Sequence, residues 1–411
     1  MNPAQKLIIP RDRSERLHYI KRLFSMATGP NLADEWAGGR LCALKKLNSI
    51  DAVAYAKNRN FLNGSLTHLS PYLRHGCLTL NETFESIKKQ FGAEADKLLY
   101  ELSWRDYWRK VWYVAGDGIY SDMELPKVAI GRAPLSQDII EGKTGLPCMD
   151  AFIKDLLTVG YVHNHARMWL ASYIVHYRKI DWREAADWFE AHLLDGDIAS
   201  NHLSWQWVAS TFSSKPYFFN KENLSRYTGE RYCARCQAQC PFDADNETLN
   251  DRLFNQGLLP EAKKYALSLL PKKAVSGSAA VAIFVHDEML SAAHVLLHQP
   301  FPKIFVFDPQ IHGSWSLNRI QFVADCLSEM TNVEVWHGDT YDVLISRGVG
   351  LVTTQDTPNK KIKELLAPFI PNWQPVPKLV NAEMSENRLK RFSRYWEKAG
   401  PLILAETKSP T

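Results

Sequence analysis

The sequence predicts a mainly α-helical domain followed by a small α/β domain with a parallel sheet. Up to about Phe254, apolar residues recur at the three-to-four-residue spacing of amphipathic helices. From Ala279 onward the pattern changes to short, continuous apolar runs: Ala280–Val285, Lys303–Phe307, Val333–Trp336 and Gly350–Thr354, with helical segments between. Strands buried on both faces read this way, and strands alternating with helices build a parallel sheet. Between the two regimes, Glu261 to Ser278 is rich in Lys, Ala, Ser and Gly and reads as a linker. Two domains suit 411 residues. The expected boundaries are a loosely held polar lead at 1–20, a helical domain at 21–257, a linker at 258–278 and the α/β domain at 279–411.

Composition narrows the function classes. Hydrophobic residues at 45% against 23% charged allow a substantial core, and 13 Trp, 16 Tyr and 18 Phe suit stacking on planar ligands or bases. A net charge of +4 permits nucleic-acid contact without requiring it. Leu7–Ile9 is too short for a signal peptide and ends at Pro10, and no run approaches a membrane span, so a cytoplasmic protein is expected. Seven Cys there are not a disulfide framework; clustered ones point to metal or redox chemistry.

Taken in order, Asn31 to Arg59 has helical spacing, with Leu41, Ala43, Leu44 and Leu47 as its apolar stripe. A turn at Asn63-Gly-Ser65 leads into Thr67-His-Leu-Ser-Pro-Tyr-Leu73, where Ser70 before Pro71 reads as the N-cap of a helix and a modest anion site. Lys97 to Val114 is a helix with Glu101, Trp104, Arg105 and Trp108 on one face, either a ligand-facing wall or an ion-paired surface. Thr144-Gly-Leu-Pro147 opens a helix carrying Cys148. His163-Asn-His-Ala-Arg-Met168 starts the next, with Asn164, Arg167, Met168 and Ala171 on one face. Arg167 in so apolar a helix needs an acid, which Asp195 or Asp197 can supply. Asp181-Trp-Arg-Glu184 starts a helix through Leu194, and Asp195-Gly-Asp197 is the loop ahead of another. On that last helix Trp205 and Trp207 point in different directions, which suits a cofactor on one side and a partner on the other, or two core indoles.

Cys233, Cys236 and Cys240 form C-x2-C-x3-C-P, a spacing whose thiolates can wrap one face of Zn²⁺ or of a cubane cluster, with a fourth ligand from elsewhere; three free thiols is the alternative. No Gly-x-Gly-x-x-Gly follows the first strand, so no dinucleotide is indicated in the α/β module.

In combination, Thr67-His-Leu-Ser-Pro-Tyr-Leu73, Trp104-Arg-Asp-Tyr-Trp-Arg109, Gly142-Lys-Thr-Gly145, His163-Asn-His-Ala-Arg167, Ile180-Asp-Trp-Arg-Glu184 and Asp195-Gly-Asp…Trp-Gln-Trp207 resemble the FAD-binding domain of the photolyase/cryptochrome family, from Gly38-Gly39 to about Asn223. The resemblance implies FAD held by Tyr55, Thr67, Leu69, Ser70, Arg105, Arg167, Asp195 and Asp197, with Asn201 facing flavin N5. A carboxamide there accepts from N5–H without adding charge and favours reduced flavin; since sensory members more often carry Asp or Cys, the resemblance implies that Asn leans towards repair. Arg59 matches a DNA-phosphate contact. Glu101, Trp104, Asn164, Met168 and Trp207 match the pocket for a flipped pyrimidine dimer. Asn164 in place of a His favours the cyclobutane lesion.

Trp205 and Trp182 match the inner photoreduction residues, the outer one falling near Ala129 with no Trp. A pocket Trp of the family appears as Leu98. Cys148 with Cys233, Cys236 and Cys240 resembles the [4Fe–4S] ligand set of some bacterial members. The α/β part resembles a reduced antenna domain placed after the helical one, and His286-Asp-Glu288 replaces the usual arginine-rich sequence, which argues against an antenna chromophore. The resemblance thus implies a monomeric, light-dependent enzyme splitting pyrimidine dimers in damaged DNA. A cryptochrome-type blue-light sensor without repair is the alternative.

Overall fold

The computed structural model describes residues 4–255, 261–265, 272–275 and 280–405. The fold class is as the sequence predicts, a helical part and an α/β part with a largely parallel sheet. The division of the chain is not. Among the described residues, those of 1–49, 68–86 and 267–378 form the α/β unit, and those of 50–67, 87–266 and 379–411 form the helical unit. Each unit is assembled from three stretches of sequence, where two consecutive domains were expected. Part of the expected linker, 258–260, 266–271 and 276–278, lies outside the described residues.

The α/β unit holds six strands, β1 (Gln5–Leu7), β2 (Val281–Val285), β3 (Lys303–Phe307), β4 (Val333–His337), β5 (Leu351–Gln355) and β6 (Pro371–Gln374). Their order across the sheet is β1-β4-β3-β2-β5-β6. Four were legible as apolar runs. The other two are short edge strands that have little apolar sequence to betray them. β1 pairs antiparallel with β4, Leu7 opposite Val335, while the remaining pairs are parallel. The lead expected to be loose is therefore part of the sheet and of the Arg13–Leu23 helix. Arg16 of that helix is buried and donates to Asp325 Oδ1 at 2.8 Å, a charge pair joining it to the Leu317–Ser328 helix.

The stretch with helical spacing from Asn31 to Arg59 forms a 3₁₀ turn and two helices, Arg40–Asn48 and Ala52–Asn58. Leu41 of its apolar stripe is exposed, and Ala43 and Leu47 carry the burial. Gly38 and Gly39 open it for steric reasons. A Cβ on Gly38 would stand 2.2 Å from Phe322 O, and Gly39 has φ +102° with a Cβ position 2.3 Å from Glu329 Oε1. The Ser70–Arg74 helix is capped by Leu69 rather than Ser70, without a side-chain bond, and spans only five residues. A turn that short has no useful dipole, so the expected anion site at its start is not supported by helix geometry.

The helical unit is organised around the Asp96–Ala115, Pro147–Thr158, Asn164–Ser172, Trp182–His192 and Ile198–Ala209 helices. Their core is aromatic, with Phe152, Trp169, Trp182 and Phe242 fully buried in one cluster. The Asn164 helix ends in a π-helical turn, Tyr173–Tyr177, where the ladder widens by one residue. Among the described residues, no helix is long and apolar enough to cross a membrane.

Candidate functional site

The Asp195-Gly196-Asp197 loop sits where three helices meet, and each acid is claimed by an arginine from a different one. Arg167 Nη2 donates to both carboxylate oxygens of the buried Asp195, at 3.0 and 2.9 Å. Of the two acids the sequence offered Arg167, Asp195 is the partner. Its guanidinium also lies over the ring of Tyr161, 5.3 Å from the centroid. Burial pushes the Tyr161 hydroxyl up to about 12, so it stays a neutral donor. Asp197 is the N-cap of the Ile198–Ala209 helix, accepting from Ser200 N at 2.8 Å, and its second oxygen accepts from Arg105 at 2.6 Å. That Arg105–Asp197 pair was not foreseen. Both residues stood out in the sequence, but their meeting depends on how the Asp96 helix packs.

Just over three turns of helix follow from that cap. Asn201 is buried, its Nδ2 donating to Ala186 O at 2.8 Å and its Oδ1 accepting from Trp205 Nε1 at 3.2 Å. One lone pair of that oxygen remains, which is the acceptor the expected role requires. Asn201→Asp would set a carboxylate against the Ala186 carbonyl in a buried site, so the new acid's folded pKa rises above its unfolded value. Unfolded chains then ionise first as pH rises, and stability is lost between the two pKa values. Denaturant melts of Asn201→Asp should show a larger loss at pH 7 than at pH 4; equal losses would mean that the site is solvated.

The two inner electron-transfer candidates are both buried. Trp205 meets Phe189 edge-on at 5.7 Å, and Trp182 donates to Asp122 Oδ1 at 2.8 Å. Asp122 was missed by sequence reasoning. It is buried, also pairs with Arg132 and accepts from Lys263 N at 2.9 Å, yet it lies in an irregular stretch with no motif around it. Gln206, between the two tryptophans, is a second hidden anchor, donating to Ile119 O at 2.8 Å and accepting from Met123 N at 3.0 Å.

The substrate-side residues divide. Glu101 is held by Arg59 at 3.1 Å and Lys97 at 2.7 Å, and Arg59 lies over Tyr55, 5.9 Å from its centroid. Tyr55 is raised well above the ordinary tyrosine value by burial and by the Glu101 charge. Asn164 is exposed at the start of its helix and Met168 is half-buried. Trp207 is half-buried against Tyr217, 5.6 Å away. Trp104 is covered on one face by Phe392, with centroids 3.8 Å apart and 9° between planes. Nothing in the sequence around Phe392 announced this. Of the remaining predicted contacts, Thr67 belongs to the helical unit, while Leu69 and Ser70 belong to the α/β unit.

Cys148, Cys233 and Cys240 share the aromatic core cluster, and all four candidate ligands are free thiols. Burial pushes Cys148 up to about 12, with the charges of Cys233 and Cys240 adding to the shift. Burial, followed by neighbouring charges that include another of these cysteines, raises Cys233 and Cys240 as well. The donor chemistry fits a thiolate-bound metal. Among the described residues, however, no group of three or more His, Cys, Asp or Glu is arranged at ligating geometry.

In the α/β unit the carboxyl end of β2 is packed with the chain's own polar side chains. Arg74 pairs with buried Asp287 at 2.6 Å, and His286 bonds Gln355 O at 3.0 Å. Sheets of this order take ligands at such strand ends.

Residues 98–250, which contain both Arg–Asp pairs and the Trp-Gln-Trp helix, match the family model described as the FAD binding domain of DNA photolyase. This stretch is similar to the FAD-binding domain of the photolyase/cryptochrome family. Among curated members, a cryptochrome DASH of Idiomarina loihiensis is 32% identical over 232 residues, covering 52% of this chain and 48% of that protein. A deoxyribodipyrimidine photo-lyase of Streptomyces griseus is 34% identical over 160 residues, 38% of this chain and 35% of that one. Another, of Alkalihalophilus pseudofirmus, is 36% identical over 190 residues, 42% of this chain and 38% of that one. The chain therefore spans less than half the length of these photolyase and cryptochrome relatives. A crystal structure of a Synechocystis cryptochrome superposes with a TM-score of 0.43 at 25% identity, covering 48% of this chain and 46% of that one.

Proposed function

We propose that this protein is a light-dependent DNA-repair flavoprotein that acts on cyclobutane pyrimidine dimers as a monomer in the cytoplasm. The observation that supports it most is the pair of ion pairs on one loop, Arg167–Asp195 and Arg105–Asp197, in a segment matching the family's FAD-binding domain. Bound FAD would supply light absorption and a single electron. Arg167, Asp195, Arg105 and Asp197, with Tyr55 and Thr67, would hold it. Asn201 would keep a neutral acceptor oriented by Ala186 and Trp205, and Trp205 and Trp182 would return electrons through the buried core. Glu101 would hydrogen-bond the lesion, with Arg59 on phosphate and Trp104, Trp207, Asn164 and Met168 lining its pocket.

Illuminating the reduced, FAD-loaded protein with a dimer-containing oligonucleotide should restore thymine. Trp207→Ala should weaken lesion binding roughly ten- to hundredfold, the worth of about 1–3 kcal/mol of base stacking, with FAD content unchanged. Equal affinity for damaged and undamaged DNA in parent and variant would remove the repair assignment. The second reading, a blue-light sensor without repair, is favoured by the stack of Phe392 on Trp104; it predicts flavin photoreduction with no thymine recovered.

We infer further that Cys148, Cys233, Cys236 and Cys240 take up an iron–sulfur cluster, or zinc in its place, because of the C-x2-C-x3-C-P spacing and because Cys148, Cys233 and Cys240 pack on one aromatic core cluster. Anaerobic purification should yield iron with acid-labile sulfide, or zinc. A protein free of both metals would end the proposal.

A further inference from the structure

The indole assigned to the lesion already has a stacking partner. Phe392 lies parallel to Trp104 at 3.8 Å, the separation at which a base stacks on an aromatic ring. Trp108 approaches the same indole at 5.1 Å and Tyr107 meets it edge-on at 5.8 Å. Phe392 is itself buried, with Tyr100 at 5.1 Å and Tyr107 at 5.5 Å against it edge-on and Trp396 continuing the stack at 6.1 Å. A base and the Phe392 ring cannot share that face of Trp104.

The contact is held from several sides within the helical unit. Tyr395 OH donates to Asp106 Oδ2 at 2.6 Å, and Tyr107 OH donates to Leu389 O at 2.9 Å. Arg391 makes a two-pronged pair with Glu124, at 2.6 and 2.9 Å. Lys88 donates to Ile403 O at 3.1 Å. The Phe392–Leu404 helix is thus laid along the Asp96–Ala115 helix on the face that carries Trp104.

We propose that Phe392 occupies the stacking place of a flipped base, so that the segment from Glu386 to Leu404 is a built-in cap on the substrate face that must leave before a lesion can engage Trp104. This rests on the functional reading above in taking Trp104 as a base-stacking residue. The cap lowers the preference for damaged DNA by the stacking it withholds.

The test uses the full chain loaded with FAD and two oligonucleotides, one with a single cyclobutane dimer and one undamaged, measured by fluorescence anisotropy. Phe392→Ala should raise the damaged-to-undamaged affinity ratio roughly tenfold or more, the scale of one stacked base. The double variant Phe392→Ala/Trp104→Ala should fall back to the parent ratio. Phe392→Leu, which keeps apolar volume but cannot stack flat, should rise less in the same direction. Folded, FAD-loaded variants that both keep the parent ratio overturn the cap. Hydrogen exchange on the unaltered chain reads the same step: amides of Phe392–Leu404 should lose protection under saturating damaged DNA, and unchanged protection in that complex overturns the proposal. Failure of the functional reading looks different: the parent itself would bind both oligonucleotides equally and restore no thymine under light.

Discussion

Arg167→Ala is expected to abolish FAD retention and to cost about 3–5 kcal/mol of stability, the penalty for leaving one member of a buried ion pair alone. The residue left behind is Asp195, which is buried and accepts with both oxygens from one guanidinium nitrogen. The double variant Arg167→Met/Asp195→Asn separates the two effects. Removing both charges should restore much of the stability, since replacing a buried pair by neutral groups is often close to neutral. It should not restore the flavin, if that pair is what holds it. Absorbance of the purified protein and denaturant melts measure the two quantities independently. Full flavin content in Arg167→Ala would show that the pair is structural only.

Trp205→Phe should bring flavin photoreduction under blue light down to the rate of free FAD, with an external donor present throughout. The substitution keeps an aromatic ring against Phe189, so packing changes little. It removes the indole, the oxidisable group, and with it the Nε1 donor to Asn201. Trp182→Phe should slow reduction too, but it also strips a donor from buried Asp122, so its stability loss should be the larger of the two. An unchanged photoreduction rate in Trp205→Phe would mean that electrons reach the cofactor by another route.

Much of the site was legible because its chemistry is local. Asp195-Gly-Asp197 combines turn residues with an N-cap, and the structure uses Asp197 as that cap. Arg167 in an apolar helix demanded an acid and found Asp195. Other features left no local trace. Asp122 has no periodic neighbourhood, so its role as partner of Trp182 could not be seen. Phe392 falls within 279–411, the stretch expected as the α/β part, with no motif around it. Its stack on Trp104 joins residues nearly three hundred positions apart.

By itself the sequence determined the fold class, the two kinds of secondary structure and the flavin-type motifs, because periodicity, turn chemistry and motif spacing act over a few residues to one helix. The tertiary structure alone decided how the chain is shared between the units. β1 reaches the far edge of the sheet beside β4, since an edge strand's unpaired backbone groups need a partner from wherever the chain can supply one. The Phe392–Leu404 helix returns to the Asp96–Ala115 helix because its buried face of Phe392, Tyr395 and Ile403 needs apolar cover, and hydrophobic burial is non-directional about where that cover comes from. That choice, invisible in local pattern, decides whether Trp104 faces a base or a phenylalanine.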